Sequence, residues 1–243
     1  MNAATRRWAL RLGVPIAVLA VLVVGGPFVY IHFISSKAPA RFSLPASAPG
    51  PTSPSSTAGA DTSSAGGAAT PVDGTWRVVG GSQAGYRVKE VLFGQDNEAV
   101  GRTGKVSGTF AVSGTTVQSG TVSVDLRSVT SNESRRDAQF QGRIMSTSTY
   151  PTAAFTLTQP IDVANIPADG VDTKVAAVGQ LAMHGTTKAV TADLTVRRTG
   201  ATVAVTGTIP VKFSDWNIPN PSFSGITTQD NGSVEFLLNL SHA

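Results

Sequence analysis

Alternation with a period of two runs through the second half of the chain. Val122, Val124 and Leu126 alternate with Ser123, Asp125 and Arg127, and Val190, Ala192, Leu194 and Val196 with Thr191, Asp193, Thr195 and Arg197. The same rhythm carries Val203, Val205, Gly207 and Ile209, then Val234, Phe236, Leu238 and Leu240. One apolar and one mostly polar face is what antiparallel strands with one wet side require. Ser113-Gly114, Arg198-Thr199-Gly200 and Asp230-Asn231-Gly232 carry turn chemistry between these runs. The pattern predicts an all-β domain over about 72–243 with short connections, hence a sandwich or a barrel.

Between Ser131 and Tyr150 the alternation stops. Asn132, Glu133, Arg135, Arg136 and Asp137 crowd ahead of Phe140, Ile144 and Met145. This predicts one or two short helical turns across an end of the sheet, with Asn132 or Ser134 as cap. Pro151 ends the excursion before Phe155 and Leu157 resume a strand.

Ahead of the domain the pattern changes twice. Val14–Ile34 is a nearly unbroken apolar run, and about 21 helical residues span about 31 Å, roughly the hydrocarbon thickness of a bilayer. Trp8 and Tyr30 sit where interfacial aromatics usually stand. Arg6, Arg7 and Arg11 precede the run and Lys37 and Arg41 follow it, which favours an amino terminus inside and the domain outside. Residues 1–34 therefore read as a cytoplasmic tail and a single transmembrane signal-anchor. The rival reading is a cleaved signal peptide with Ala38-Pro39-Ala40 as its site, for which the apolar region is long. From Pro45 to Pro71 every residue but Asp61 is Ala, Ser, Thr, Pro or Gly. Such a stretch cannot bury enough apolar surface to order itself, so 35–71 reads as a disordered linker or envelope spacer, open to O-glycosylation. Roughly 35 linker residues give an r.m.s. reach of about 30–35 Å.

Composition adjusts this picture at two points. The formal charge of +4 invites a nucleic-acid reading, but it arises up to residue 70, where five basic residues face Asp61 alone. The remainder balances, so the domain has no net field to attract phosphate backbones. The absence of cysteine removes disulfides, thiolate metal sites and a lipidated-cysteine anchor.

Catalytic chemistry is thinly supplied. Of the three histidines, His32 lies in the apolar run and His242 is penultimate, leaving His184 alone and without a Gly-x-Ser-x-Gly elbow. No His/Asp/Glu spacing resembles a catalytic metal site. Glu90, Glu98, Asp125 and Glu133 keep a carboxylate pair open, although most have Lys or Arg neighbours, as on a solvated surface. A binding protein without cofactor is the expectation.

Three motifs bear on what is bound. Ser131-Asn132-Glu133-Ser134-Arg135-Arg136-Asp137 is followed by Tyr150-Pro151-Thr152-Ala153-Ala154-Phe155. Gly179-Gln180-Leu181-Ala182-Met183-His184-Gly185-Thr186-Thr187-Lys188 comes next, then Phe213-Ser214-Asp215-Trp216 ahead of Pro221-Ser222-Phe223. Together they resemble the YceI-like family across Asp73–Leu240. The resemblance implies a lipocalin-like antiparallel barrel whose apolar interior holds a polyisoprenoid or similar chain. One departure is Gln139-Phe140, where many members have His-Leu, so a histidine headgroup contact is absent there.

On this reading Phe110, Val124, Leu126, Phe140, Ile144, Met145, Phe155, Leu157, Gly179, Leu181, Gly207 and Phe236 line the lipid site. Gly108, Ala177, Gly179, Ala192 and Gly207 all fall on the apolar phase. Small residues there either leave room for a ligand or sit opposite large partners. Arg135, Arg136 and Asp137 stand at the mouth, pairing with a phosphate headgroup or, on the favoured reading, pinning the short helix through an Asp137–Arg pair. His184 reads as a solvent-facing turn residue, and Trp216 with Phe223 as a core plug. Each buried CH₂ contributes about 0.8 kcal/mol, so roughly twenty carbons offer over about 15 kcal/mol before ordering costs and competition from the bilayer. The alternative is an envelope structural or stress-response module, its barrel packed and its outer face binding a protein or glycan.

Overall fold

The computed structural model describes residues 38–44, 72–92, 94–167, 170–223 and 225–243. The run Val14–Ile34 and the stretch Pro45–Pro71 lie outside them. No helix among the described residues is long and apolar enough to cross a membrane.

Antiparallel strands make one continuous sheet that closes on itself. Its staves are β1 (Gly74–Val78), β4 (Val106–Ser113), β5 (Thr116–Asp125), β7 (Thr152–Leu157), β9 (Thr173–Met183), β10 (Thr186–Thr199), β11 (Thr202–Val211) and β13 (Gly232–His242), in that order around the barrel. Closure falls on β13, whose last residues pair with β1, Leu240 opposite Val78. Its first residues pair instead with β2 (Gln83–Leu92), Phe236 opposite Ala84. The chain thus breaks one long stave at residues 79–82, and β2 carries it on beside β3 (Gln95–Thr103). Short strands β6 (Thr130–Ser131), β8 (Ile161–Asp162) and β12 (Ile226–Thr228) add to β3, β5 and β2. The predicted alternation is realised in β5, β10, β11 and β13. The turns at Gly114 and Gly200 take φ of +58°, a left-handed geometry that favours glycine.

Where alternation stops, α1 (Ser134–Gln139) runs into a π-helical turn, Phe140–Ile144, that lies across one end of the barrel. The cap differs from the expectation. Glu133, not Asn132 or Ser134, accepts the Arg135 amide at 3.3 Å. At the same end a 3₁₀ turn, Phe213–Trp216, buries Phe213 and Trp216 in the core, and the Trp216 indole donates to the Leu181 carbonyl at 3.2 Å.

Residues 38–44, which the composition places within the linker, lie against the outer wall. Leu44 is buried, and Arg87 and Arg102 donate to the carbonyls of Pro39 and Ala40.

Candidate functional site: an apolar lumen with a polar mouth

The barrel interior holds two adjoining cavities, which share Ala84, Val124, Ala153 and Val234 as walls. The inner one, about 190 Å³, is lined almost wholly by apolar side chains, among them Phe110, Val124, Phe155, Leu157, Leu181 and Phe236. The outer one, about 1090 Å³, lies under α1 and includes Leu126, Phe140, Ile144 and Met145. Ligand sites commonly enclose about 300–1,000 Å³. The outer chamber alone is of that size, and the smaller, apolar inner one adjoins it deeper in the barrel.

Ala177 and Ala192 line the inner cavity, but Gly179 and Gly207, expected to line the site, do not: there the small residue sits opposite a large partner. A Cβ on Gly207 would stand 2.3 Å from Cζ of Phe236, and one on Gly179 would stand 2.3 Å from Cζ of Phe155. The same arrangement seats Phe110 on Gly120 and Tyr86 on Gly101, each ring opposite its glycine in the register. Glycine lets an aromatic ring lie down on its neighbour strand. A Cβ there would push the ring toward the lumen. Gly108 is likewise occupied, by Val78 and the Thr121 carbonyl. The void is kept by rings laid flat along the wall.

The mouth is built by side chains that alternation hides. Tyr86 stacks on Phe140, ring centroids 4.9 Å apart and planes 16° from parallel. Burial pushes the Tyr86 phenol well above its ordinary range, with the Arg136 guanidinium opposing the shift, so the hydroxyl stays neutral. Glu90, buried on the inward phase of β2, accepts from Asn97 at 2.6 Å and from Arg136 at 3.3 Å. Arg136 also donates to Asn132 at 2.8 Å. Asp137 takes no arginine among the described residues. Its carboxylate accepts from the Ser131 amide at 2.8 Å and the Ser131 hydroxyl at 2.6 Å, which ties α1 to β6. Asp137 is therefore a fastening outside the cavity wall, Arg136 a wall residue already engaged, and Arg135 an exposed wall residue whose guanidinium is bound to no described side chain.

Across the opening, Arg143 donates to the carbonyls of Asn220 and Pro221 at 3.1 and 3.2 Å and lies 5.9 Å from the Phe223 ring. Gln139, which departs from the histidine that the family resemblance implies at this position, accepts from Arg143 at 3.0 Å. Trp216 is a plug as expected, but Phe223 is 58% exposed at the rim of the outer chamber. His184 is not free in solvent. Its Nδ1 lies 3.0 Å from the Trp216 carbonyl and its ring leans on Tyr150. No group of three or more His, Asp or Glu able to hold a metal occurs among the described residues.

Tyr86, Asn97 and Arg143 carry no signal in the sequence, and Glu90, read there as a carboxylate on a solvated surface, is buried at the mouth. On β2 and β3 polar residues occupy both phases, so periodicity gives no signal there.

A YceI-like domain model matches residues 76–240. Among solved structures, a polyisoprenoid binding domain from Saccharophagus degradans, implicated in plant cell wall breakdown, is similar at 20% identity and a TM-score of 0.56, over 69% of this chain and 98% of that one. BcnA of Burkholderia cenocepacia is similar at 24% identity and a TM-score of 0.51, over 65% of this chain and 95% of that one. No curated protein matches the chain. The chain belongs to the YceI-like family.

Proposed function

We propose that this YceI-like barrel binds a long apolar lipid of the polyisoprenoid type, tail in the lumen and headgroup at the mouth, and that it does so as a carrier without catalysis. The observation behind this reading is the lumen: an outer chamber of about 1090 Å³ adjoining an apolar inner one of about 190 Å³. A largely apolar void with a polar mouth suits a chain whose affinity comes from area removed from water. The similar Saccharophagus domain is described as polyisoprenoid-binding. Arg135, exposed at the rim and unpaired with any described side chain, is the group best placed to meet an anionic headgroup. Arg136 acts first as a clamp on Glu90.

The proposal places the barrel outside the plasma membrane, tethered by the apolar run Val14–Ile34, with the arginines at 6, 7 and 11 on the inner side. A void of this size disfavours the packed structural module.

The test is native mass spectrometry of the full chain purified from its own membranes, followed by organic extraction. A stoichiometric long-chain lipid is the expected result. An empty protein that also fails to take up a polyprenyl phosphate added in micelles would overturn the reading.

A further inference from the structure

Outward positions on a barrel meet water, yet on β2, β3 and β13 three of them are almost inaccessible. Arg87 and Val100 are 3% exposed and Glu235 is 2% exposed. They are outward, because Tyr86 and Val88 flank Arg87, Val234 and Phe236 flank Glu235, and all four line the lumen. The Glu235 carboxylate holds both guanidiniums, Arg87 at 3.0 Å and Arg102 at 2.7 Å, and Glu98 takes Arg87 from the other side at 2.7 Å. The arginines' remaining donors point away from the wall. Arg87 Nη2 reaches the Pro39 carbonyl at 2.8 Å and Arg102 Nη2 the Ala40 carbonyl, while the Arg102 guanidinium lies 3.9 Å over the Phe42 ring. Two arginines fixed by a buried carboxylate thus form a rigid seat for a strand of main chain, and Ala38–Leu44 occupies it.

This changes which residues set the distance to a membrane. Only Ser35, Ser36 and Lys37 separate Ile34 from Ala38, and four peptide steps span at most about 14 Å. Residues 45–71 then join two points of the same domain, Leu44 and Val72, and add nothing to the tether. The direction of the segment matters as well. Arg87 pairs with Val100 and Arg102 with Gly85, so Arg87 lies two residues, about 7 Å, nearer the mouth end of β2. The chain passes from Pro39 over Arg87 to Phe42 over Arg102, away from the mouth, so its amino end comes from the mouth side.

We infer that Ala38–Leu44 is a strap that holds the barrel mouth-first against the bilayer, so that a lipid passes between membrane and lumen without crossing water. This rests on the reading of Val14–Ile34 as a membrane anchor. The rim fits such a surface: Phe223 is 58% exposed there, with Arg143 beside it and Arg135 exposed across the outer chamber. Aromatic rings with arginines settle at the headgroup level.

The test uses the full chain reconstituted in phosphatidylcholine/phosphatidylglycerol vesicles that carry a headgroup-attached quencher. The chain has no cysteine, so a single introduced one is the sole labelling site. A fluorophore on Ala138→Cys reports the mouth and one on Thr199→Cys the opposite end. Quenching at 138 is expected to exceed that at 199 several-fold. Inserting about twenty Gly/Ser residues between Ser36 and Lys37, which adds about 25 Å of r.m.s. reach, should abolish the difference. The same insertion after Ser56 should leave it intact. Flotation of the same samples is read first. A chain that does not float refutes the anchor, and the strap's role with it. A floating chain quenched equally at both sites, or one that loses the difference with the Ser56 insertion, refutes the strap while leaving the anchor standing.

Discussion

The lumen and the outer patch on β2, β3 and β13 invert the usual distribution of side chains in opposite ways. Inside, apolar residues line space that no side chain fills. Outside, Arg87 and Glu235, charges that ordinarily meet water, are only 2–3% exposed. The lumen forfeits the dispersion that a packed core would gain, since a wall atom facing a void has no partner. It keeps its shape because Phe110, Phe155, Phe236 and Tyr86 each lie on a glycine instead of spanning the gap. The patch carries the desolvation cost of buried ions, offset by guanidinium–carboxylate pairs at 2.7–3.0 Å. Burial works against the charge on Arg87, but its hydrogen bonds to Glu235 and Glu98 outweigh that and hold its pKa above the ordinary arginine value. The lumen is specified by shape and the patch by charge. Substitutions in the two regions should therefore fail differently.

The largest effect belongs to the patch. Glu235→Ala leaves Arg87 buried beside Arg102 without their shared carboxylate, and a broken buried pair typically costs about 3–5 kcal/mol. Urea unfolding should register that loss. The double replacement Arg87→Met/Glu235→Leu should recover most of it, since an apolar pair carries no desolvation cost. A single variant as stable as the parent would show that the patch is merely covered. In the lumen, Gly207→Ala drives a methyl into the Phe236 ring, and overpacking of this kind costs about 1–3 kcal/mol. The displaced ring enters the cavity, so lipid uptake should fall along with stability. Adding Phe236→Leu should restore the melting temperature. Full uptake by Gly207→Ala would mean that the rings do not set the width of the lumen.

The same contrast explains what the sequence made legible. β5, β10, β11 and β13 have one apolar and one wet face, and their alternation is plain. β2 and β3 bury Arg87 outside and Glu90 inside, so burial and polarity are uncoupled and the period disappears. The helical excursion was visible as a loss of rhythm, but its fastenings were not: Glu133 caps it and Ser131 takes Asp137, both by short-range geometry that spacing alone does not select. Ala177 and Ala192 do line the inner cavity, but for the glycines the two readings stay open in the sequence because the phase of one strand does not show what the next strand places there. Gly207 is apolar-phase in β11, and its meaning lies in Phe236 on β13. Phe42 and Leu44 stand just before a low-complexity stretch, and their seat, Arg87 and Arg102, is remote in the chain.

Two mouth arginines give a smaller and more selective contrast. Arg136 is 20% exposed and Glu90 7%. Among the described residues, Arg136→Ala leaves Glu90 with Asn97 as its remaining side-chain donor and should cost about 1–2 kcal/mol in urea unfolding. Arg135 is bound to no described side chain, so Arg135→Ala should change stability by less than about 0.5 kcal/mol. Its effect should appear instead in competition between polyprenyl phosphate and the uncharged alcohol, with preference for the phosphate reduced. If Arg136→Ala shifts that preference and Arg135→Ala does not, the two roles are exchanged.

The smallest effect sets the lower end of the comparison. Asp230 is a carboxylate in a charge-assisted arrangement, like Glu235, but on the surface. The Ser214 hydroxyl donates to it at 2.6 Å and the Ser214 amide at 3.0 Å, and these bonds, with Lys212 nearby, hold its pKa below the ordinary aspartate value. A carboxyl whose pKa is lower in the folded state stabilises the fold above its unfolded value, about 3.9. That contribution disappears as pH falls through the folded value. Between about pH 6 and about pH 3 the parent should therefore lose slightly more stability than Asp230→Asn, measured as urea midpoints. Solvent screens the site, so the difference should be small beside the loss from Glu235→Ala. A comparable loss at both positions would mean that burial is not what gives the outer patch its strength, and that the 3₁₀ turn carrying Trp216 depends on Asp230 as heavily as the strap's seat depends on Glu235.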